Sequence, residues 1–554
     1  MAMRIRLLIL VMVGGLVVML VGCFSGEPVL KLPSIPGLDF SKASGSITRM
    51  KPNSEPQQLL SQPVKITAPS EAWAVRIFSI LPDYQGAVAS IDFDTEWSDR
   101  NSFQVGVANY QTHEWEMLEV NSGGAHTLTL DPLSSYRSWN GGGEDEKTYL
   151  VFAVPPGETL TVNSIQTNQR RLYEHVPPGF VANRFLSLSG SRDIWTDSRT
   201  GVTYVMRRSG SGWEVWWMQD DNGDGKVTTG DKEAGILISG SGKAAHGVTV
   251  YGNAREGYFL YAGVFDTIYR VKLSANGRSP QGSLETWLTG LPAGRGHTAK
   301  SIRFDSSGNA YIGVGSSGNI STEQNRAAIY RVPAGSNRAK IWVRGIRNPT
   351  ALLIEGKDLL VFSVERDRLG NEKPVEPLYR IPLSTPSGVD HFGYPWWMWD
   401  GVARDYVRDD RVGGAPIPLS ADQIPFAPEA WIPAHNTPLG MVHANETNFP
   451  APWNKGIFVA ARGSWNSDVR TGYRVFYIDD GQTIPFTGMF LNANSLLFKN
   501  LVGGWFRPVS VAAAADGSLL VTGDAISGPV KPGEGFRGIY RISYDQTPYL
   551  TISP

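Results

Sequence analysis

Short runs in which apolar and polar residues alternate fill the chain from about Val64 to Thr167. Examples are VKITA, WAVRIFSI, AVASIDFD, FQVGVANY and LTVNSI, and turn clusters such as SSYRSWNGGGEDEK separate them. A period of two residues places side chains alternately on the two faces of a strand, so the pattern predicts antiparallel strands. We expect residues 64–168 to form a small β-sandwich. No catalytic constellation stands out there, and a binding role and a spacer role both stay open.

A weak internal repeat marks the region from about Asn183 to Tyr544. One strand type reads TIYRV (267–271), AIYRV (328–332), PLYRI (377–381) and GIYRI (538–542), and a second reads GYFLYAG, NAYIGVG, KDLLVFSV and GSLLVTGD. Units of about 50–60 residues with several strands each are typical of propeller blades, and this region has room for about six or seven of them. Residues 180–546 are therefore predicted to form a β-propeller. A second pair of sandwiches is the weaker alternative, because repeats of blade length are not expected in it.

The first residues have the composition of an export signal. Arg4 and Arg6 precede a long apolar run that ends in LVGC at Cys23. A basic start, an apolar core and small residues before a cut are typical of secretory signals, and LVGC resembles the bacterial lipobox, in which the cysteine is acylated. We expect residues 1–22 to be a lipoprotein signal peptide and residues 23–63 to be a flexible spacer. The protein would then be exported and anchored to the periplasmic or extracellular face of a membrane. An uncleaved membrane anchor is the alternative.

Composition narrows the classes of function. The 554 residues include 51 Lys and Arg against 52 Asp and Glu, a formal charge of -1, which argues against nucleic acid as a partner. The single cysteine excludes a disulfide framework and a cysteine metal site. Aromatic residues make up 11%, with 61 Gly and 36 Pro, and this balance of strand-forming and turn-forming residues is typical of an all-β protein.

The sharpest motif is DDNGDGKVTTGD at 220–231, which matches a calcium-binding loop. Its candidate ligands at alternate positions are Asp220, Asn222, Asp224, Lys226 (through its carbonyl oxygen) and Asp231. Ca²⁺ prefers such oxygen ligands on a loop that wraps around it, although the last ligand is usually Glu. The loop follows the strand WEVWWM, so we expect a structural Ca²⁺ between two propeller strands. A polar hairpin without an ion is the alternative.

Basic residues open several of the strand–turn–strand units. His246 and His297 each precede such a unit, Arg347 and Asn348 take the same place in GIRNPTALLI, and Arg507 does so in FRPVSV. In a propeller, residues just before the innermost strand face the central channel, where binding sites form. Basic side chains that converge there predict a pocket for an anionic, planar ligand. The sequence has no HExxH, GxSxG or P-loop motif.

The same region resembles the PQQ-dependent glucose/sorbosone dehydrogenases, and most of all their L-sorbosone dehydrogenase branch. The resemblance rests on strings that occur in the family's order over about residues 240–545: GHTAKSIRFDSSGNAYIGVGSSGN, RAAIYRV, GIRNP, SVERDRLGNE, HFGYPWWMW, AHNTPLGMV, FVAARGSWN and FRPVSV…DGSLLVTGD. It implies a six-bladed propeller. It does not extend to the predicted sandwich or to the 220–231 loop.

The resemblance also implies a cofactor and a mechanism. Pyrroloquinoline quinone (PQQ) would lie over the axial mouth with Ca²⁺ on its quinone edge, and it would accept hydride from a sugar hydroxyl carbon. His297 would be the general base, and Arg347 would stabilise developing negative charge. The other implied cofactor contacts are His246, Arg347, Asn348, His435, Arg462 and Arg507. Backbone oxygens near Arg366 and Asp367, with the Asp367 carboxylate, would hold the calcium.

Some positions depart from the family's pattern. Lys300 stands where Arg is common, Gly318 stands where Cys is common, and ARGSW around Arg462 replaces HGSW. The tryptophans of PWWMW (395–399) would stack on a sugar ring or pack at a blade edge. The chain has no CxxCH haem motif, so electrons would pass to a separate acceptor.

The sequence therefore predicts a membrane-tethered, PQQ-dependent sugar dehydrogenase. The alternatives are a non-catalytic, calcium-stabilised propeller that binds carbohydrate or a protein partner, and a calcium-dependent propeller hydrolase or lactonase.

Overall fold

The chain divides into two compact units. The computed structural model describes residues 44–49, 57–82, 86–99, 101–139, 146–171, 176–242, 245–388, 391–414, 416, 427–487, 506–525, 538–546 and 548–553. The predicted signal peptide and Cys23 lie outside these residues. In the part of the chain that is described, no helix is long and apolar enough to cross a membrane.

Two sheets build the first unit, which comprises the described residues up to Val181 and from Asp545 onward. One sheet has the order β1 (Ser44–Arg49), β4 (Ala74–Leu81), β9 (Thr148–Val154), β6 (Phe103–Asn109) and β7 (Glu114–Val120). The other has the order β2 (Gln57–Gln58), β10 (Thr159–Arg171), β5 (Gly86–Glu96), β8 (Gly124–Asp131) and β37 (Tyr549–Ser553), and β3 (Val64–Thr67) also pairs with β10. A 3₁₀ turn covers Leu133–Tyr136.

Apolar side chains of both sheets pack into one core. Ile80 and Leu150 from the first sheet are buried together with Phe93 and Leu128 from the second. Burying a side chain of this size contributes about 1.5–3 kcal/mol to folding. The two sheets are therefore layered on a shared hydrophobic interior, which is how antiparallel sheets satisfy their apolar faces.

Three strands of this unit lie where the sequence predicts other structure. β1 and β2 fall within residues 23–63, the predicted spacer. β1 pairs in parallel with β4, with Ser44 opposite Arg76, and β2 pairs with β10, with Gln58 opposite Gln166. An edge strand of this kind is joined through its backbone, so its sequence need not alternate between apolar and polar residues. β37 follows the predicted end of the propeller at 546 and pairs with β8, with Tyr549 opposite Asp131. Local alternation does not reveal a partner so distant in sequence.

Six four-stranded sheets occur among the described residues of the second unit, Ala182–Tyr544. The first three are, from the innermost strand outward, β12 (Ser191–Thr196), β13 (Thr203–Ser209), β14 (Gly212–Met218), β15 (Ala234–Ser241); β16 (Ala245–Asn253), β17 (Gly257–Val264), β18 (Thr267–Leu273), β19 (Pro280–Leu288); and β20 (Ile302–Phe304), β21 (Ala310–Val314), β22 (Ala328–Val332), β23 (Lys340–Arg344). The other three are β24 (Pro349–Glu355), β25 (Asp358–Ser363), β26 (Glu376–Pro382), β29 (Ala430–Ile432); β30 (Pro438–His443), β31 (Ile457–Ala461), β32 (Arg474–Asp479), β33 (Gln482–Pro485); and β34 (Phe506–Ala513), β35 (Leu519–Ala525), β36 (Gly538–Tyr544), β11 (Phe180–Leu186). A separate hairpin joins β27 (Trp397–Asp400) and β28 (Asp405–Arg408), and Ala444–Glu446 form a 3₁₀ turn.

The innermost strands of these sheets form a closed ring. Each contacts the next in the order β12, β16, β20, β24, β30 and β34, and β34 returns to β12. β11 closes the circle, because it precedes the first sheet in sequence but pairs with β36 of the last. Sheets arranged radially around one axis are the blades of a β-propeller. The prediction of an all-β protein with a propeller is confirmed.

The repeated strings of the sequence occupy equivalent places in the blades. The GYFLYAG-type strings form second strands, in β17, β21, β25 and β35, and the Tyr-Arg strings form third strands, in β18, β22, β26 and β36. Second strands are covered by neighbouring strands on both sides and by other blades on both faces, so they are almost wholly apolar and were easy to recognise.

Candidate functional site

Most of the predicted catalytic and PQQ-binding residues lie close to where the innermost strands begin. His246 is in β16, His297 precedes β20, Arg347 and Asn348 precede β24, and Arg507 is the second residue of β34. The innermost strands of a propeller run in the same direction along its axis, so their first residues share one end of the unit. The candidate site is this end, referred to below as the axial mouth.

The loop after β21 holds the His297 imidazole. Its Nδ1 lies 3.1 Å from the carbonyl oxygen of Ser316 and 3.1 Å from Ser316 Oγ. A carbonyl oxygen can only accept, so this contact favours the tautomer with the proton on Nδ1 and a lone pair on Nε2. Burial and the charge of Arg347 lower the pKa of His297 to about 3. The imidazole is therefore neutral at neutral pH, as a general base requires.

Gly315 allows His297 and Asn348 to lie side by side. A Cβ at position 315 would come within 2.3 Å of Asn348 Oδ1 and 2.4 Å of His297 Cβ. The buried Arg326 fixes the same segment, because it donates to the carbonyl oxygens of Gly315 at 2.7 Å and of His297 at 2.6 Å. Neither Gly315 nor Arg326 was predicted. The sequence signal for Gly315 was its position in YIGVGSS, directly after the strand that ends at Val314.

Arg347 is buried and connects two loops. Its guanidinium donates to the carbonyl oxygens of Asn319 at 3.3 Å, Val364 at 3.0 Å and Glu365 at 2.6 Å. Asn319 in turn holds the backbone of Asp367, accepting from its amide at 2.7 Å and donating to its carbonyl oxygen at 3.0 Å. Because protein oxygens engage its donors, Arg347 acts at the axial mouth mainly as a fixed positive charge.

Asp367 lies between two other predicted site residues. One carboxylate oxygen is 3.9 Å from Arg347 Nη2, and the other is 3.9 Å from His435 Nδ1. His435 is held in place because its Nε2 donates to the carbonyl oxygen of Gly370 at 2.7 Å. The Asp367 side chain remains 28% exposed. A partly exposed carboxylate beside free space is an oxygen ligand that Ca²⁺ can reach.

The side chain of Arg366, next to Asp367 in sequence, is not available to a cofactor. It forms an ion pair with Asp409, and both side chains are buried. Only backbone oxygens near Arg366 and Asp367, with the Asp367 carboxylate, are expected to hold calcium. The Arg366 side chain instead fixes the loop that carries Asp367.

Arg507 organises the opposite side of the axial mouth. Its Nη2 donates to the carbonyl oxygen of Ser464 at 2.9 Å and lies 3.3 Å from the hydroxyl of Tyr473. Burial alone would raise the pKa of Tyr473, but the charge of Arg507 and a hydrogen bond from Ser464 hold it below the ordinary value. The half-buried Arg462 lies two residues before Ser464, in the loop that Arg507 fixes.

His246 lies in a buried polar network on the propeller axis. Burial lowers the pKa of His246, and its neighbour is the buried carboxylate of Asp193. That carboxylate accepts from the amide of Val248 at 2.9 Å and from Ser510 Oγ at 2.8 Å. Burial alone would raise the pKa of Asp193, but the charge of Arg303 at 3.6 Å holds it below the ordinary value. These contacts of Asp193 join β12, β16 and β34, and His246 lies beside this carboxylate.

The buried carboxyl groups of Glu365 and Glu376 were not predicted from the sequence. Glu376 Oε2 accepts from the amide of Glu365 at 2.6 Å, and Oε1 accepts from the amide of Thr437 at 3.4 Å. Burial raises the pKa of both groups, that of Glu376 to about 8. Glu376 thus connects the loop of Asp367 to the loop of His435.

Lys300, one of the departures from the family's pattern, is fully buried at the start of β20. Its Nζ donates to the carbonyl oxygen of Thr298 at 3.2 Å. Burial and the charge of Arg326 lower the pKa of Lys300 to about 7. The side chain packs inside the blade, so Lys300 does not add a charge to the surface of the axial mouth.

The predicted calcium loop is an exposed hairpin between β14 and β15. Its polar side chains accept hydrogen bonds from the loop itself: Asp220 from the amides of Gly223 and Gly225, Asn222 from Asp224, Asp224 from the amide of Lys226, and Asp231 from Thr228 Oγ1. No group of three or more His, Cys, Asp or Glu side chains within the described ranges is arranged to hold a metal ion. Calcium in this loop stays a prediction.

A cavity of about 320 Å³ opens beside Asp367. Its lining residues are Asn319, Asp367, Arg368, Trp465 and Asn466. The Trp465 side chain is 73% exposed, whereas Trp399 of the predicted PWWMW platform is buried and packs against Tyr406 and Trp431. Trp465 belongs to the string FVAARGSWN, and its sequence position predicts no role for it.

Comparison with known proteins gives a partial match in sequence. No family model matches the chain. An uncharacterized protein from Borreliella burgdorferi is 26% identical over 236 residues, and the match spans 41% of this chain and 58% of that protein's length.

Solved structures of low identity share the fold. The holo form of the pyranose dehydrogenase PQQ domain from Coprinopsis cinerea has a TM-score of 0.51 and 21% identity, and the match covers 67% of this chain and 96% of that domain. The calcium structure of a Trichoderma reesei protein of Carbohydrate-Active Enzymes family AA12 has a TM-score of 0.51 and 15% identity, covering 67% of this chain and 97% of that one. Likeness at these identities establishes the fold.

Proposed function

We propose that the propeller unit is a PQQ-dependent dehydrogenase that oxidises a sugar hydroxyl. The observation that carries the proposal is the state of His297, a neutral imidazole whose Nδ1 is held by Ser316 next to the fixed charge of Arg347. The lone pair on Nε2 can accept a hydroxyl proton, and the cation favours the negative charge that this leaves on the substrate oxygen. The fold shared with a solved PQQ domain supports the same class of function.

The side chains at the axial mouth fit the two groups that this function requires. Arg347, Arg462 and Arg507 supply positive charge, which suits the carboxylates of PQQ. Asp367, partly exposed on the cavity wall, together with backbone oxygens nearby, suits Ca²⁺. When bound, PQQ with Ca²⁺ would supply the two-electron oxidant.

The protein's own part in the reaction is proton transfer and positioning. His297 Nε2 would accept the hydroxyl proton of the substrate while hydride leaves the carbon that bears this hydroxyl group. Arg347 would stabilise the negative charge that grows on the substrate oxygen, without moving, since its donors are engaged by backbone carbonyls. Asn348, held beside His297 at Gly315, would orient the hydroxyl. Electrons would then pass to a separate acceptor.

The cellular setting of this reaction is proposed from the sequence alone. Removal of residues 1–22 and acylation of Cys23 would anchor the enzyme to an exported membrane face. Replacing Cys23 with Ser should abolish labelling by radioactive palmitate and release the protein from membranes, and labelling that persists would contradict the proposal.

The test is reconstitution of the full-length chain with PQQ and Ca²⁺. We expect saturable PQQ binding, seen in the quinone absorbance, and dye reduction that depends on one or more sugars in a panel of aldoses. His297→Ala should lower turnover by about 10²–10⁴-fold while PQQ affinity is kept. The matched control is His443→Ala, a propeller histidine whose Nε2 instead bonds to the carbonyl oxygen of Ile354 at 2.9 Å. Equal turnover in His297→Ala and the wild type would contradict the proposal.

One observation favours a second candidate, a non-catalytic propeller that binds carbohydrate or a protein partner. Arg347 and Arg507 direct their hydrogen bonds to backbone carbonyls, so a purely structural role would also explain both residues. A folded protein that binds no PQQ would support this candidate.

A further inference from the structure

The cavity beside the axial mouth has one wall that the catalytic proposal does not use. Trp465 is 73% exposed and lines the cavity of about 320 Å³. Tryptophan is strongly buried on average, so an indole left open beside a cavity is a common mark of a binding surface. Among the described residues, no ring or hydrogen-bond contact occupies its indole.

Both neighbours of Trp465 in sequence are fixed by contacts with other loops. The carbonyl oxygen of Ser464 accepts from Arg507 at 2.9 Å. Asn466 Oδ1 accepts from the amide of Arg368 at 2.8 Å, and Asn466 has a φ of 55°. The backbone on both sides of Trp465 is therefore fixed before any ligand arrives, which lowers the entropy cost of ordering this loop on binding.

The other walls of the cavity are polar. The Asp367 carboxylate is partly exposed, and an oxygen of this group that Ca²⁺ does not use can accept hydrogen bonds from hydroxyl groups. The oxygen of the Asn466 amide is engaged by Arg368, so its NH₂ group is the part left to donate. Asn319 is already used by the backbone of Asp367 and serves as a wall. One flat apolar face opposite hydroxyl-binding groups is complementary to a sugar ring, which has a face of C–H bonds and an edge of hydroxyls.

We infer that Trp465 is the stacking platform for a single cyclic sugar, a monosaccharide in its pyranose form. This inference rests on the proposed sugar dehydrogenase and narrows its substrate class. The cavity of about 320 Å³ is at the lower end of the range of about 300–1,000 Å³ for small-molecule sites, which suits one ring rather than a chain of rings. Trp465 of ARGSW lines the cavity, whereas the buried Trp399 of PWWMW contributes packing.

The experiment compares Trp465→Ala and Trp465→Phe with the wild type in the reconstituted full-length enzyme. We expect Trp465→Ala to raise KM for the best aldose about tenfold, equivalent to about 1.4 kcal/mol, with kcat and PQQ affinity within about twofold. Trp465→Phe should recover part of the loss. The control is Val469→Ala, since Val469 is 63% exposed on the same loop but does not line the cavity. Unchanged KM in Trp465→Ala, or a loss of PQQ affinity instead of sugar affinity, would overturn the inference.

Two further readouts separate this inference from the catalytic proposal. KM should be similar for a monosaccharide and for its disaccharide and trisaccharide, and a steady fall in KM with chain length would overturn the single-ring platform. Saturation-transfer NMR without PQQ should detect sugar binding to the wild type and lose it in Trp465→Ala. That result would uphold the platform even if reconstitution showed no dehydrogenase activity, and sugar binding that survives in Trp465→Ala would overturn it.

Discussion

Replacing Glu376 with Gln should change how the stability of the propeller depends on pH. The carboxyl group is 2% exposed, and burial raises its pKa from 4.5 to about 8. The folded protein therefore keeps the proton between these pH values, whereas the unfolded chain releases it. Stability from this group is fully present below pH 4.5 and is lost as the pH rises through about 8.

The magnitude follows from the pKa and the hydrogen bonds. Each pH unit within the window lowers the unfolding free energy by about 1.4 kcal/mol. The unfolding free energy of the wild type should therefore fall by on the order of 3 kcal/mol between pH 4.5, the ordinary pKa of a Glu side chain, and pH 7. Gln does not ionise and keeps an oxygen for the amide of Glu365, but its NH₂ group would face the amide of Thr437, at a cost of about 1 kcal/mol. Glu376→Gln should thus be about 1 kcal/mol less stable at the acid end and about 2 kcal/mol more stable at pH 7.

The assay is urea unfolding of the full-length chain across this pH window, followed by tryptophan fluorescence. The matched control is Glu285→Gln, because Glu285 is exposed and pairs with Arg270 at 2.9 Å. An exposed pair contributes about 0–1 kcal/mol, and the control should differ from the wild type by a nearly constant amount. A constant difference for Glu376→Gln as well would refute a protonated Glu376 in the folded state.

Three further predictions concern the mouth and the calcium loop. Because the pKa of His297 is lowered to about 3, kcat/KM should not fall as the pH drops through 6.5, its ordinary value, and a pH profile with an acid limb there would contradict the neutral imidazole. Asp409→Asn should lower the unfolding free energy by about 3–5 kcal/mol in a urea titration, since it leaves the charge of Arg366 buried; a loss below about 1 kcal/mol would count against the buried pair. In the absence of PQQ, Ca²⁺ at about 100 times its Kd should stabilise the wild type by about 2.7 kcal/mol but not Asp220→Ala, and equal thermal shifts would exclude a site in the loop.

The fold was predictable to the extent that each blade repeats a local pattern. The second strands, such as β21 and β25, are mostly apolar because neighbours cover them on every side. β1, β2 and β37 were missed because they are outer strands that depend on partners distant in sequence. β11 was also not foreseen as the outer strand of the last blade, since nothing in FVANRFL indicates a pairing with β36.

Some residues of the candidate site could be predicted from the sequence and others could not. His297, Arg347 and Arg507 could be placed near the axis because each occupies the same position relative to a recognisable strand. Glu376 and Trp465 carried no such signal. The role of Glu376 arises from two amides in separate loops, and the exposure of Trp465 arises from contacts made by its neighbours.

The return of β37 to the first unit has a consequence for how the chain can be made and cut. The chain leaves the first unit after Val181 and re-enters it at Asp545, so two connections join the units. A protease that cleaves one connection leaves both units covalently linked through the other, and release of the propeller requires two cuts. During synthesis, the sheet that contains β8 lacks its last strand until residues 549–553 have been translated. The unit whose synthesis begins first is therefore completed last.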